Sequence, residues 1–298
     1  MARSYPPDVV VLDTDGILHA RLSRGRKGAR IEHAKLYPIR EGVFAPAVVT
    51  PDLAGEADLA EVVRRMRVER GRLDRVSLLL PDAWFRINLV DLPTLSDRHD
   101  EALHAVRWSL KRTLPIPAES LRVVWDVLGK SASGLRLLVL SAVEKTLAAI
   151  EHVFSEAGID VVLIEPVGLN IWNAIAVRED ATSSDRLFVY VRDSDFTTAV
   201  FRGSQPLFIR SRNLTGERTL QQEIRLSASY LRETLQTGTI ARAYVAGADD
   251  GGQAQSALAS EFNAPVVSVA LRDFVEQVPS DLSSHDAELT ACAGVFTA

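Results

Sequence analysis

The chain opens twice in the same way. Val9–Thr14 and Ile17–Ser23 are β-rich runs on either side of Asp15-Gly16, and Ile31–Tyr37 is a third run. About 180 residues later, Leu187–Arg192 and Phe196–Arg202 flank Asp193-Ser194-Asp195, and Pro206–Arg212 follows. Asp-Gly between two such runs is a strong hairpin signal, because a type I′ turn needs two residues that tolerate positive φ. Behind the second copy, Thr215 is placed to cap a helix with the apolar stripe Leu220, Ile224, Ser227, Leu231, Leu235. A strand over Ala241–Ala246 and a helix near Gln253–Phe262 come next. Two copies of hairpin, strand and helix predict two related α/β lobes. A chain of 298 residues is also longer than one compact core usually supports. The polar stretch Arg178–Asp185 lacks an apolar period and marks the boundary. The first lobe is expected over residues 1–182 and the second over 183–298.

Between the copies lies a segment punctuated by prolines, from Val76 to Pro166. One strand ends at Pro81-Asp82 and an extended run ends at Leu92-Pro93. A helix with the stripe Leu103, Val106, Leu110, Leu114 stops at Pro115. Two more strands, a helix and a last strand ending at Glu165-Pro166 complete it.

Composition excludes several classes. Net charge is −5 with a pI near 5.7, so nothing overall suggests nucleic acid. The local exception is the basic run RGRKGAR, Arg24–Arg30. It reads either as a solvated hairpin tip or as a contact with anionic headgroups or an acidic partner. Cys292 is the single cysteine, so no intramolecular disulfide forms, and it is expected to pack as a small apolar residue. The N-terminus lacks a signal-peptide pattern, and no run reaches the ~18 apolar residues of a membrane helix. The absent signal and the near-absence of cysteine both favour the cytoplasm.

The order of elements in Val76–Pro166 closely resembles the inserted subdomain of PilM-type proteins. These are actin-like cytoplasmic proteins of type IV pilus assembly, related to the cytoplasmic part of GspL proteins of type II secretion. The resemblance implies an actin-like, two-lobed α/β fold of the actin, Hsp70 and sugar-kinase superfamily, with an inserted subdomain at about residues 76–166. It also implies a nucleotide cleft between the lobes, whose motifs are damaged here. The first motif, of the form D-x-G-[ST], reads Asp13-Thr14-Asp15-Gly16-Ile17-Leu18. Asp13 matches the acidic position. Asp15 stands where glycine should be, and a carboxylate there repels phosphate. The second motif, D-x-G-x-x-x-T, reads Val191-Arg192-Asp193-Ser194-Asp195-Phe196-Thr197-Thr198. It has no glycine, and Val191 or Arg192 falls at the acidic position; Asp193 substitutes only if the turn shifts register. The adenosine motif keeps one glycine, Gly247, in Val245-Ala246-Gly247-Ala248, with Asp249 and Asp250 just beyond. Asp13, Asp15, Gly16, Asp193 and Gly247 are therefore expected to be a vestigial nucleotide site. No cofactor is expected; ATP with Mg²⁺ belongs to the alternative, a working ATPase in which Asp13 and Asp193 hold the metal.

No other catalytic pattern stands out: G-x-S-x-G, the P-loop and H-E-x-x-H are all missing. The six histidines, at positions 19, 33, 99, 104, 152 and 285, read as surface or capping residues. The helix ending near Pro115 is the candidate partner surface. Trp108 lies opposite its apolar stripe, so it either packs under another lobe or lines a groove with Arg107 and Arg112. Trp84-Phe85-Arg86 is a second cluster that could border that groove. By resemblance, the partner is the N-terminal tail of a PilN-like inner-membrane protein, held between the first lobe and the inserted subdomain. The expected role is a non-catalytic scaffold at the cytoplasmic face of the inner membrane. The alternative to a pilus role is a GspL-like domain that binds a secretion ATPase.

Overall fold

The computed structural model describes residues 5–26, 28–40, 55–111, 116–132, 134–179, 184–192, 195–203, 205–213, 219–233, 239–247, 252–276 and 280–297. β1 (Asp8–Asp13) and β2 (Gly16–Gly25) form the first hairpin, and β3 (Gly28–Pro38) pairs antiparallel beyond it. α1 (Glu56–Arg70) leads to β4 (Arg75–Leu80), parallel to β1. The chain then leaves this sheet. β5 (Arg86–Leu92), α2 (His99–Leu110), β6 (Leu121–Ser131) and β7 (Gly134–Val143) build a separate antiparallel sheet, ordered β5-β7-β6, with α2 on one face. α3 (Glu144–Glu156) returns it to β8 (Asp160–Pro166), parallel to β4, and α4 (Val167–Ala176) follows. The second half runs β9 (Asp185–Arg192), β10 (Asp195–Arg202), β11 (Gln205–Asn213), α5 (Leu220–Glu233), β12 (Ile240–Gly247), α6 (Gln253–Phe262), β13 (Val266–Ser268) and α7 (Asp286–Thr297).

The predicted duplication is visible in the strand orders. The first sheet runs β3-β2-β1-β4-β8 and the second β11-β10-β9-β12-β13, the same topology twice. Both sheets are buried on both faces, as parallel central strands require. Alternate residues of β1 therefore serve different cores. Val10 and Leu12 join Leu59, Met66, Ile150 and Phe154 under α1 and α3. Val9 and Val11 join the central layer of α4 and α7, which also takes Phe188, Tyr190 and Phe201 from the second sheet. Leu187 and Val189 turn outward to Ile224, Leu231 and Leu258 of α5 and α6. Trp172 of α4 is the centre of the middle layer; it stacks on Phe201 at 3.9 Å between centroids, with the planes 8° apart.

Three sequence readings change. The separate sheet spans only Arg86–Val143, because β4 and β8 pair in the first lobe, so it is narrower than 76–166. The C-terminal helix α7 does not belong to the second lobe alone; it lies between the lobes, packed against α4 and the first sheet and also touching β12. The first turn consists of Thr14 and Asp15, with Asp13 paired to Gly16. Neither turn residue takes positive φ, so this is not the I′ turn predicted on Asp15-Gly16. Gly16 lies instead in β2, where a Cβ would come 2.6 Å from the Tyr37 carbonyl oxygen.

Candidate functional site

Asp13 ends β1 and Arg192 ends β9, so the two copied strands deliver opposite charges to one point between the sheets. Arg192 Nη2 lies 2.8 Å from Asp13 Oδ2 and 3.4 Å from Asp15 Oδ1. Its Nη1 lies 3.3 Å from Glu288 Oε1 on α7. His285, just before α7, places Nε2 3.1 Å from Asp15 Oδ2. The Tyr190 hydroxyl donates to Glu288 at 3.2 Å, and the Thr14 amide donates to Asp13 at 2.7 Å. Burial raises the Asp13 carboxyl to about 6, while Arg192 pulls it down. The His285 hydrogen bond lowers Asp15, and the same bond raises His285. Burial alone would lower Arg192, but Glu288 and Asp13 more than offset it and hold the guanidinium above its ordinary range.

These residues do not fit a magnesium nucleotide. Asp13, Asp15 and Glu288 are the oxygen donors a cation would need, and Arg192 is already spread across them. The Asp15 carboxylate sits at the turn where a phosphate cradle needs backbone amides. Gly247 survives for a packing reason: its φ is +90°, and a Cβ would come 1.9 Å from the Val191 carbonyl oxygen. Asp193, like Asp249 and Asp250, lies outside the described residues. His285 and Glu288 were not found from sequence. His19 and His285 are buried, not surface residues; His19 lies 2.9 Å from Asp8.

The second candidate is a groove of about 730 Å³ between the separate sheet, β8 and the second lobe. Val161, Val162, Leu163, Ile164 and Glu165 all line it. A strand that offered a face would contribute alternate residues; five in a row mean that the outer edge of β8, which no described strand pairs, opens into the groove. Val124, Leu138 and Leu140 form the opposite wall.

The predicted partner residues are spread over other places. Leu121, Val123, Leu137 and Val139 pack against Val106 and Leu110 of α2, so α2 covers the sheet face away from the groove. Trp108 is 68 % exposed, which rules out packing under another lobe, and Lys111 Nζ lies 5.7 Å from its ring centre. Arg107 donates to the Leu121 carbonyl at 2.9 Å. Neither Arg107 nor Trp108 lines the groove. Arg112 lies outside the described residues. Trp84 and Phe85 are buried in the first-lobe core; of the two, Phe85 touches the groove. Burial lowers Arg86, with Arg212 adding to the effect.

No protein-family model matches the chain, and no curated protein matches it. Solved structures do. A PilM-PilN type IV pilus biogenesis complex is 17% identical, with 99% of this chain and 98% of that chain covered and a TM-score of 0.79. A Bacteroides thetaiotaomicron protein with an actin-like ATPase fold is 11% identical, with 89% and 91% covered and a TM-score of 0.57. The cytoplasmic domain of Epsl, an inner membrane component of the Vibrio cholerae type II secretion system, is 10% identical, with 98% and 94% covered and a TM-score of 0.53. At these identities the likeness is one of fold, and the chain has the actin-like, two-lobed α/β fold that its duplicated openings and inserted segment predict.

Proposed function

We propose that this chain is a non-catalytic scaffold of a type IV pilus or type II secretion assembly platform. It sits at the cytoplasmic face of the inner membrane and holds the N-terminal tail of a PilN-like membrane protein. The observation that carries this reading is the groove along the open edge of β8. An unpaired strand edge beside an apolar wall takes an extended segment by main-chain pairing, with pockets for alternate side chains. The likeness to a PilM-PilN type IV pilus biogenesis complex supports the choice of partner. No described helix is long and apolar enough to cross a membrane. The Arg192 ion cluster supports the non-catalytic half of the reading against a working ATPase.

The test is calorimetry with the ten N-terminal residues of a PilN-like protein of the same organism. A micromolar interaction is expected. Val124→Arg places a bulky cation on a groove wall residue that is 56 % exposed, so the fold tolerates it and binding is lost. Trp108→Ala, on the far face of the sheet, leaves binding unchanged. Loss of binding in Trp108→Ala with full affinity in Val124→Arg would move the docking site to α2.

A further inference from the structure

We propose that the groove selects an extended segment carrying a basic side chain, seated between Asp126 and Glu165. This deepens the docking role proposed above and rests on it. The charged side chains among the described residues that line the groove are Arg122, Asp126, Glu151 and Glu165. Arg122 is fully engaged: it donates to both oxygens of Glu144 at 2.9 and 2.6 Å and to both oxygens of Glu151 at 2.6 and 2.8 Å. That fork satisfies the guanidinium and compensates Glu151.

Asp126 and Glu165 remain, one on β6 and one at the end of β8, with no other lysine, arginine or histidine among the described lining residues. Asn170 donates to one Glu165 oxygen at 2.9 Å, a neutral partner that leaves the charge in place. Burial raises the Glu165 carboxyl above its ordinary range, Asn170 acts against this, and Asp126 adds to it. Glu165 is partly desolvated and shares the groove with the exposed Asp126, and an incoming cation offsets both charges. Val124, Leu138 and Leu140 surround them with apolar surface, so a lysine or arginine stem packs while its head reaches the acids. The open edge of β8 fixes the main chain and so decides which side chain points inward. An acidic residue at that position is excluded by repulsion, which gives the groove specificity as well as affinity.

The test uses three end-blocked ten-residue peptides of alternating valine and threonine, with Lys, Gln or Glu at one central position. Fluorescence anisotropy measures their affinity. The Lys peptide is expected to bind about tenfold tighter than the Gln peptide, with the Glu peptide weakest, and the gap should narrow at high salt. In a protein carrying Asp126→Asn and Glu165→Gln the three affinities should converge. Equal affinity for all three in the unaltered protein, no binding of any, or a Lys preference that survives the double substitution would overturn the proposal. If the Lys preference holds while the PilN-like tail fails to bind, the choice of partner is wrong and the acid pair stands. If the tail binds and the three peptides do not differ, the acid pair fails and the docking role stands.

Discussion

Arg192 joins groups that are far apart in sequence, so its removal is the sharpest single-residue test of the interlobe cluster. Glu288 has a side-chain exposure of 1 %, and Arg192→Ala leaves it without its 3.3 Å cationic neighbour. Breaking a buried pair by deleting one partner costs about 3–5 kcal/mol. A thermal melt should show a drop of several degrees, while binding in the groove stays unchanged. The His285–Asp15 contact predicts a pH signature. His285 is raised in the folded state, so its contribution is full below about 6.5 and is lost as pH rises through the folded value. Asp15 is lowered, so its contribution is full above about 3.8 and is lost as pH falls through the folded value. The contact is therefore strongest between those limits, and His285→Gln should flatten the alkaline side of a stability-versus-pH curve measured by urea unfolding. An unchanged alkaline slope would mean that His285 carries no proton there. At this scale the sequence showed Asp13 and flagged Arg192 at an acidic position, because both sit at fixed offsets in a hairpin. It hid His285 and Glu288: nothing local distinguishes a histidine and a glutamate beside an apolar helix until the fold brings that helix 270 residues back to the first turn.

The central helices carry the next prediction. α7 crosses α4 so closely that a Cβ on Gly294 would lie 1.8 Å from the Asn170 carbonyl oxygen. The neighbour is backbone and has little room to give. Gly294→Ala should therefore destabilise by about 1–3 kcal/mol through overpacking, despite alanine's better helix propensity. Chemical denaturation measures it, and a neutral or stabilised variant would mean that the helices are further apart. Elements were readable where pattern and punctuation agreed: hairpins between turn residues, and α2 from its stripe, with Val106 and Leu110 buried as expected. What was not readable was membership. β4 and β8 are apolar runs ending at prolines, like many strands, and only pairing places them in the first sheet. The face of a helix that looks outward was readable too, but not that the groove lies on the other side of the sheet, since β6 and β7 carry apolar residues on both faces.

Across the whole molecule, the duplicated fold supplies two clefts and the sequence has treated them differently. The cleft between the copied hairpins is closed by the protein's own charges, with Arg192 of one lobe against Asp13 and Asp15 of the other. The groove beside β8 keeps a strand edge that is unpaired among the described residues. A nucleotide must displace the ion cluster and bring phosphates up to Asp15, so its affinity is expected to be poor. Ligand binding to the folded state stabilises by RT ln(1 + [L]/Kd). With 1 mM Mg-ATP and a Kd at or above the same concentration, the gain is at most about 0.4 kcal/mol, which a thermal shift barely registers. A working site with a Kd of about 10 µM would gain about 2.7 kcal/mol under the same conditions and raise the melting temperature by several degrees. The groove peptide should give a clear upward shift in the same assay, because its site needs no internal bond broken. A large shift with Mg-ATP that disappears in Asp13→Ala would show that the cluster opens for nucleotide, and the scaffold reading would give way to that of a nucleotide-driven switch.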